Sequence, residues 1–184
     1  ATRDPYAIWL SEVILQQTRV KQGLPYYLDF ITTYPTVQDL AAAPQDEVLR
    51  HWQGLGYYNR CKNMLATARH IAHELNGNFP NTYEGLLGLK GIGPYTAAAI
   101  ASFAYGLPHA VVDGNVYRVL SRYFGIDTPF DTTEGKKQFT ILAQDLLDTA
   151  ASAAYNQAIM DLGATVCTPR NPTCGACPLA KKCT

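Results

Sequence analysis

The chain has 184 residues, of which 47% are hydrophobic and 16% are charged, a composition typical of globular proteins rather than disordered or fibrous ones. No stretch reaches the roughly 18 consecutive apolar residues of a membrane-spanning helix, and the N-terminus lacks the basic-then-apolar pattern of a secretion signal. Lys and Arg together number 15, as do Asp and Glu, so the net charge does not by itself indicate a nucleic-acid binder. We expect an intracellular, monomeric protein without membrane contact, although Ala1 in place of Met leaves room for a trimmed targeting segment.

The charges are unevenly distributed along the chain. Residues 48–73 and residues 167–184 each contain several Lys and Arg side chains and no acid. A basic surface of this kind can bind DNA phosphates even in a protein of zero net charge. The alternative is that these are ordinary solvated charges.

Apolar residues recur at helical spacing through most of the chain, and we therefore predict an all-α fold. Asp4 as an N-cap and Pro5 in the first turn predict a helix that runs to about Val20. Thr36 caps a short segment that follows. The next predicted helices cover residues 44–52 and 59–75 in the first half, and residues 114–123, 133–148 and 153–162 in the second.

Residues 83–105 predict two helices joined by a short turn that contains Gly91 and Gly93. Glycine permits positive φ and a tight turn, and Pro94 suits the first turn of the second helix. Free backbone N–H groups at that helix start would bind a phosphate oxygen without reading base sequence. The segment is therefore either a helix-hairpin-helix DNA module or a plain helical hairpin packed in the core.

Four cysteines lie close together near the C-terminus, with the spacing Cys-x6-Cys-x2-Cys-x5-Cys. They are Cys167, Cys174, Cys177 and Cys183. Because cysteine thiols stay reduced inside cells and rarely form disulfides there, metal binding is the better explanation of this pattern. A single Cys-x2-Cys pair flanked by lone cysteines favours a 4Fe-4S cluster over zinc, which usually uses two such pairs. Zinc is the alternative, and disulfides are the least favoured.

The hairpin, the cysteine spacing and an Asp at position 113 resemble the endonuclease III superfamily of helix-hairpin-helix base-excision enzymes. Within it, several motifs in the right order are similar to the MutY type of adenine DNA glycosylase. These motifs are WLSEVILQQT at 9–18, GLGYY at 54–58, VDGNV at 112–116 and NQAIMDLG at 156–163. The resemblance implies a six-helix barrel domain over residues 4–110, and a 4Fe-4S domain over residues 111–184 together with the extreme N-terminus, its cluster loop at 167–183.

The resemblance also implies a reaction, which is hydrolysis of the bond between deoxyribose and an adenine mispaired with 8-oxoguanine or guanine in double-stranded DNA. Glu12 would protonate adenine, and Asp113 would stabilise the positive charge on the sugar, with Asn115 and Tyr95 in support. Apolar neighbours on its helix would keep Glu12 protonated. Tyr95 stands where the lyases of the superfamily carry a Lys that forms a Schiff base, which implies a monofunctional glycosylase. From the residues alone, an ordinary solvated side chain is the favoured interpretation of Glu12 and an N-cap that of Asp113, and it is the motif match that favours the catalytic roles.

The target base must leave the helical stack before it can react. The resemblance implies that several residues contact the DNA or the extruded adenine. Gln17 and Tyr57, with Leu55 nearby, are expected to be wedge residues, which fill the space that the extruded base leaves in the DNA stack. Gln16 and Thr18 are expected to face the opposite strand, and Gly91 and Gly93 to contact the DNA backbone. Leu15 and Val20 are expected to line the adenine pocket, and the hairpin carbonyls around Leu89 and Ile92 are expected to bind a cation. Arg60 and Lys62 follow Tyr57 and Tyr58, which favours a DNA-facing strip over two core aromatics.

Two other functions fit the same motifs. One is a thymine or uracil mismatch glycosylase of this superfamily, which would not need Glu12. The other is a non-catalytic module that only binds damaged DNA. We further expect that a C-terminal 8-oxoguanine-recognition domain and a Trp-Arg segment before the first helix, both usual in the MutY type, lie outside these 184 residues.

Overall fold

Helices provide all the regular secondary structure of residues 2–184, which are the residues that the computed structural model describes. No strand occurs among these residues, so the predicted all-α class is confirmed. No helix in this part of the chain is long and apolar enough to cross a membrane. The chain divides into two compact units, the first ending at Tyr105 and the second spanning Gly106–Thr184.

The first unit contains seven helices within its described residues. They are α1 (Pro5–Leu15), α2 (Val20–Thr33), α3 (Val37–Ala42), α4 (Gln45–His51), α5 (Tyr58–Glu74), α6 (Tyr83–Leu87) and α7 (Pro94–Tyr105). Helices α6 and α7 are the predicted pair around the glycine turn. Thr36 caps α3 as expected, and together with Asp39 it forms a capping box.

Helix α1 is buried on most of its surface. Asp4 begins it, because the Asp4 carboxylate accepts a hydrogen bond from the Tyr6 backbone N–H at 3.0 Å. Trp9 is 1% exposed and Ile14 is 0% exposed, and burial of one such side chain stabilises the fold by about 1.5–3 kcal/mol. The helix packs against α2 and α7. It is therefore a rigid support for any polar side chain that it carries.

The prediction of one continuous helix from Pro5 to about Val20 is wrong. Helix α1 ends at Leu15, and α2 begins at Val20 after a turn in which Gln17 has φ 56°. Helix α2 itself is not predicted by the sequence pattern, since it contains both Gly23 and Pro25, two poor helix formers. The turn places Gln17 at an exposed position between two helices.

The second unit contains three α-helices and two short 3-10 turns within its described residues. They are α8 (Gly114–Phe124), α9 (Thr133–Leu146), α10 (Ser152–Thr165) and the turns Cys174–Ala176 and Ala180–Lys182. Val116 and Leu120 of α8 pack against Phe139 and Ala143 of α9 in a buried core. Helix α10 also packs against α8. Apart from α2 and the end of α1, the predicted helices are present, with ends displaced by a few residues.

Candidate active site

Glu12 is the one carboxylate of helix α1, and it is half-buried. The residues on either side of it along the helix include Trp9 and Val13, which are 1% and 4% exposed. Tyr95, also half-buried, lies in the first turn of α7, the helix that packs on α1. A hydrogen bond of 3.2 Å from the Gln16 side-chain amide to the Thr96 hydroxyl joins the two helices next to both residues. Glu12 and Tyr95 are therefore carried by two helices with a fixed mutual position.

Gln17 and Tyr57 share an unusual backbone conformation. Both are non-glycine residues with positive φ, 56° for Gln17 and 48° for Tyr57, in the left-handed region that L-residues rarely adopt. Both side chains are exposed, Tyr57 to 69%. Non-glycine residues in this region cluster at functional sites, because the surrounding structure must hold them there.

A cleft of about 400 Å³ brings several predicted DNA contacts together. Gln16, Gln17, Tyr57 and Gly91 all line it, which joins the turn after α1, the start of α5 and the hairpin at one surface. The full lining also includes Trp9, Val13, Tyr58, Asn59, Arg60, Asn63, Met64 and Lys90. Glu12 does not line this cleft, which is therefore a candidate for the DNA strand rather than for the reacting base.

The remaining predicted contacts of the first unit lie in different environments. Leu55 is buried, at 7% exposure, whereas Val20 is 65% exposed. Leu15 is half-buried beside Gly23, where an added Cβ would lie 2.5 Å from a Leu15 methyl carbon. Thr18 donates its hydroxyl proton to the Gln16 carbonyl at 3.2 Å. A DNA contact by Leu55 would require its side chain to leave the core, and the adenine pocket of Leu15 and Val20 stays a prediction.

The glycine turn has the geometry that its sequence predicts. Gly91 has φ 78° and is exposed, and no atom of another part of the protein lies within 4 Å of a Cβ added to Gly93. Open space at Gly93 would let a DNA backbone approach closely. The Lys90 carbonyl is already occupied, since it accepts a hydrogen bond from the Thr67 hydroxyl at 2.6 Å. A cation at the Leu89 and Ile92 carbonyls stays a prediction.

Arg60 lines the cleft together with Tyr57 and Tyr58, and it is itself half-buried. Its guanidinium lies 5.1 Å from the centroid of the Trp52 ring and 5.8 Å from that of the Tyr57 ring. One terminal nitrogen, Nη1, donates to the Gln16 carbonyl oxygen. Burial lowers the pKa of this guanidinium. The Arg60 guanidinium therefore points toward the core, next to the Gln16 carbonyl and the Tyr57 ring, while the residue also lines the cleft.

Asp113 caps the start of helix α8 in the second unit. Its Oδ1 accepts a hydrogen bond from the Val116 backbone N–H at 2.8 Å, and its Oδ2 accepts one from the Asn115 amide at 2.8 Å. Both carboxyl oxygens are therefore held in place by hydrogen bonds from neighbouring residues. The structural role and the predicted catalytic role of Asp113 are thus compatible, since the same bonds that start the helix also orient the carboxylate.

Arg118 and Gly163 support the Asp113–Asn115 pair, and neither was predicted to do so. Arg118 donates to the Asn115 side-chain oxygen at 2.7 Å, and to the Gly163 and Cys167 carbonyls at 2.6 and 2.7 Å. A Cβ added to Gly163 would lie 2.6 Å from the Asn115 Cβ, closer than real Cβ atoms approach. The position of Arg118 one helical turn after Asn115 is the signal that could have indicated this link.

The cysteine loop is connected to helix α8 at both ends. Arg122 donates to the Cys167 sulfur at 3.4 Å, and the Cys183 thiol lies 3.7 Å from the Arg122 carbonyl oxygen. Residues 167–183 contain four thiols and no imidazole or carboxylate, a donor set that suits a 4Fe-4S cluster or zinc. Within residues 2–184, no three Cys, His, Asp or Glu side chains converge in the arrangement of a metal site.

The chain is similar to proteins of known activity. Its sequence is 48% identical to the adenine DNA glycosylase of Homo sapiens over 98% of the chain and 33% of that protein. It is 41% identical to the adenine DNA glycosylase of Buchnera aphidicola over 98% of the chain and 51% of that protein. The chain thus spans about a third to a half of the length of these relatives.

Solved structures share the fold. A thermostable thymine-DNA glycosylase matches with a TM-score of 0.88 and 32% identity, over 100% of this chain and 84% of that one. Endonuclease III in a non-covalent DNA complex matches with a TM-score of 0.81 and 23% identity, over the same shares of the two chains. A family model of base excision DNA repair proteins matches residues 10–148. The chain therefore belongs to the HhH-GPD superfamily of base excision DNA repair proteins.

Proposed function

We propose that this protein is a monofunctional DNA glycosylase that excises adenine mispaired with 8-oxoguanine or guanine from double-stranded DNA, and that it acts as a monomer. The observation that carries the proposal is Glu12, a half-buried carboxyl group on a helix that is otherwise mostly apolar. A purine leaves the sugar readily once its ring is protonated, and a carboxylic acid in apolar surroundings can supply that proton. The similarity to two adenine DNA glycosylases over 98% of the chain supports the same choice of base.

The reaction needs one acid and one anion. Glu12 donates a proton to N7 of the extruded adenine while the bond between the sugar C1′ and adenine N9 breaks, and both bonding electrons leave with the base. Asp113 stabilises the positive charge that develops on the sugar. A water molecule then adds to C1′ and gives its proton to Glu12, which restores the acid. Tyr95 cannot form a Schiff base with the sugar, so the reaction ends with an abasic site in an unbroken strand.

A panel of three duplexes tests the choice of base. The protein is incubated with DNA that contains A:8-oxoguanine, A:G or T:G, and alkali then converts each abasic site into a strand break. We expect breaks at adenine in the first two duplexes and none before alkali treatment. Breaks at thymine alone would instead support a thymine glycosylase, the activity of the 32% identical structure. Tight binding to all three duplexes without breaks would support a non-catalytic binding module.

We also propose that Cys167, Cys174, Cys177 and Cys183 bind a 4Fe-4S cluster as thiolates. Bound there, the cluster would fix a loop that carries three basic side chains, Arg170, Lys181 and Lys182, which suit contact with DNA phosphates. Contacts of Arg122 with both the first and the last of these cysteines support this proposal, since they bring the two ends of the loop to one helix.

Metal content distinguishes the cluster from zinc. We expect the purified protein to contain about four iron atoms and matching acid-labile sulfide per chain, as a 4Fe-4S cluster requires, and to show visible absorbance that dithionite or oxidation changes. Replacement of Cys174 by Ser should lower the iron content, while replacement of Cys61, which is 1% exposed in the first unit, should not. One zinc per chain with little iron would contradict the cluster.

A further inference from the structure

Arg60 contacts the ring of one exposed candidate wedge residue, Tyr57, and the backbone just before the other, Gln17. Its Nη1 donates to the carbonyl of Gln16, which belongs to the peptide unit that leads into Gln17. Its guanidinium also lies 5.8 Å from the centroid of the Tyr57 ring and 5.1 Å from that of Trp52. Trp52 is 0% exposed and donates its indole N–H to the Gly56 carbonyl at 2.8 Å. Arg60 thus connects the turn after α1, the loop before α5 and the core beneath them.

The two candidate wedge residues near Arg60 have backbone conformations that are unfavourable without support from the surrounding protein. Gln17 and Tyr57 have φ values of 56° and 48°, which cost free energy for residues with a Cβ and persist only where the surroundings impose them. A hydrogen bond to the Gln16 carbonyl fixes the orientation of the peptide plane that sets φ of Gln17. Contact with the Tyr57 ring limits the directions in which that exposed ring can point.

The inward position of Arg60 has its own cost. Its Nε and Nη2 are buried and have no hydrogen-bond partner among the described residues, whereas an arginine on the surface would have both solvated. Unpaired buried donors are rare in folded proteins and call for a functional explanation. A DNA phosphate in the cleft that Arg60 helps to line could not reach these two nitrogens, because both are buried. A role in holding Gln17 and Tyr57 in their strained conformations explains why these buried donors are tolerated.

We propose that Arg60 is a positioning residue that holds Gln17 and Tyr57 in the conformations needed to enter the DNA stack and extrude the target base. The inference rests on the proposed function, since it assigns the two residues to the extrusion step of that reaction. Arg60 acts through its neighbours and needs no contact with the base. Its loss should therefore slow extrusion and leave the bond-breaking step unchanged.

The test compares two substrates that differ in how firmly the adenine is held. Single-turnover excision is measured on a duplex with A:G and on a duplex with adenine opposite an abasic spacer, where no partner base has to be released. We expect Arg60→Met to slow excision about tenfold or more on A:G, in line with the effect of misplaced positioning groups, and at most about twofold on the spacer duplex. Arg60→Lys keeps the charge without the planar ring contact and should fall between Arg60→Met and the unaltered protein on A:G.

Arg69→Met is the matched control. Arg69 lies on the same helix, α5, is half-buried, and donates to two backbone carbonyls at the end of α3, those of Ala41 at 3.3 Å and Ala43 at 3.2 Å. Its replacement should change the rates on both substrates by the same factor. If Arg60→Met also slowed both substrates equally, Arg60 would be a general stabilising residue and the proposal would be overturned.

A binding measurement separates failure of this inference from failure of the proposed function. The Glu12→Gln protein is mixed with a duplex that carries fluorescent 2-aminopurine at the target position, whose emission rises when the base leaves the stack. We expect the rise to persist when Arg69→Met is added and to fall severalfold when Arg60→Met is added. An equal rise in all three proteins would overturn the role of Arg60. If the unaltered protein cleaved no duplex, the proposed reaction would be wrong, and the fluorescence would still decide the role of Arg60.

Discussion

Replacement of Glu12 by Gln is expected to reduce adenine excision on the order of 100- to 10,000-fold, the usual contribution of a general acid. Gln has nearly the same shape as Glu, so it leaves no cavity beside Trp9 and Val13, which are 1% and 4% exposed. It has no acidic proton for adenine N7 and cannot accept the proton of the attacking water. The loss should appear in the single-turnover rate, measured as alkali-induced strand breaks, and not in the dissociation constant for DNA.

Glu47→Gln serves as the control for this prediction. Glu47 is a second half-buried glutamate of the first unit, and it accepts a hydrogen bond from the Tyr34 hydroxyl at 2.8 Å, a bond that Gln can also accept. Its replacement should leave the rate within about twofold of the unaltered protein, because a solvent-accessible neutral substitution rarely has larger effects. A Glu12→Gln protein that excised adenine at the normal rate would remove Glu12 from the mechanism.

Asp113→Asn is expected to lower the excision rate about 100- to 1,000-fold, the cost of removing one group that stabilises charge in a transition state. The folded protein should lose little stability, because Asn is also a good N-cap and can accept the bond from the Val116 backbone N–H. Asp113→Ala should lower the excision rate to the same extent and should also lower the free energy of unfolding by about 0.5–2 kcal/mol, because Ala cannot cap the helix. Thermal unfolding and single-turnover rates of the two variants separate the cap from the charge.

The control for Asp113 is Asp148→Asn in the same unit. Asp148 is exposed and accepts a hydrogen bond from the Ala150 backbone N–H at 3.0 Å, so it matches the local bonding of Asp113 without its neighbours Asn115 and Arg118. We expect normal excision from this variant. If Asp113→Asn were equally active, Asp113 would be an N-cap only, and the sugar cation would need another partner.

Local rules explain why most helices could be predicted from the sequence. Asp4 and Thr36 begin helices because their side chains accept backbone hydrogen bonds within the next three residues, and such contacts depend on the nearest neighbours in the chain. The turn at Gln17 depends on distant residues. No Gly or Pro marks it, and one of its stabilising bonds comes from Arg60, far along the chain. A sequence pattern contains no signal for such a contact.

In the candidate site, too, features that depend on neighbouring residues could be predicted, and contacts between distant residues could not. The carboxylates Glu12 and Asp113 and the residues Gln17 and Tyr57 were predicted because short motifs resemble those of a known family. The contacts of Arg60 with the Gln16 carbonyl and the Trp52 ring were not predicted, because they depend on how the folded first unit brings these residues together. The bonds of Arg118 to the Gly163 and Cys167 carbonyls were not predicted at all, because they join segments that only the folded second unit brings together.

Gly163 shows how an inconspicuous residue can limit what a neighbouring helix may tolerate. A single methyl group at this position would push on the Asn115 Cβ at 2.6 Å and on the Asn115 carbonyl oxygen at 2.9 Å. Asn115 could retreat only by loosening its bond to Asp113. Substitutions at Gly163 would therefore lower the excision rate as active-site substitutions do, although Gly163 takes no part in the reaction. The space beside Asn115 has room for the glycine hydrogen atom and not for a methyl group.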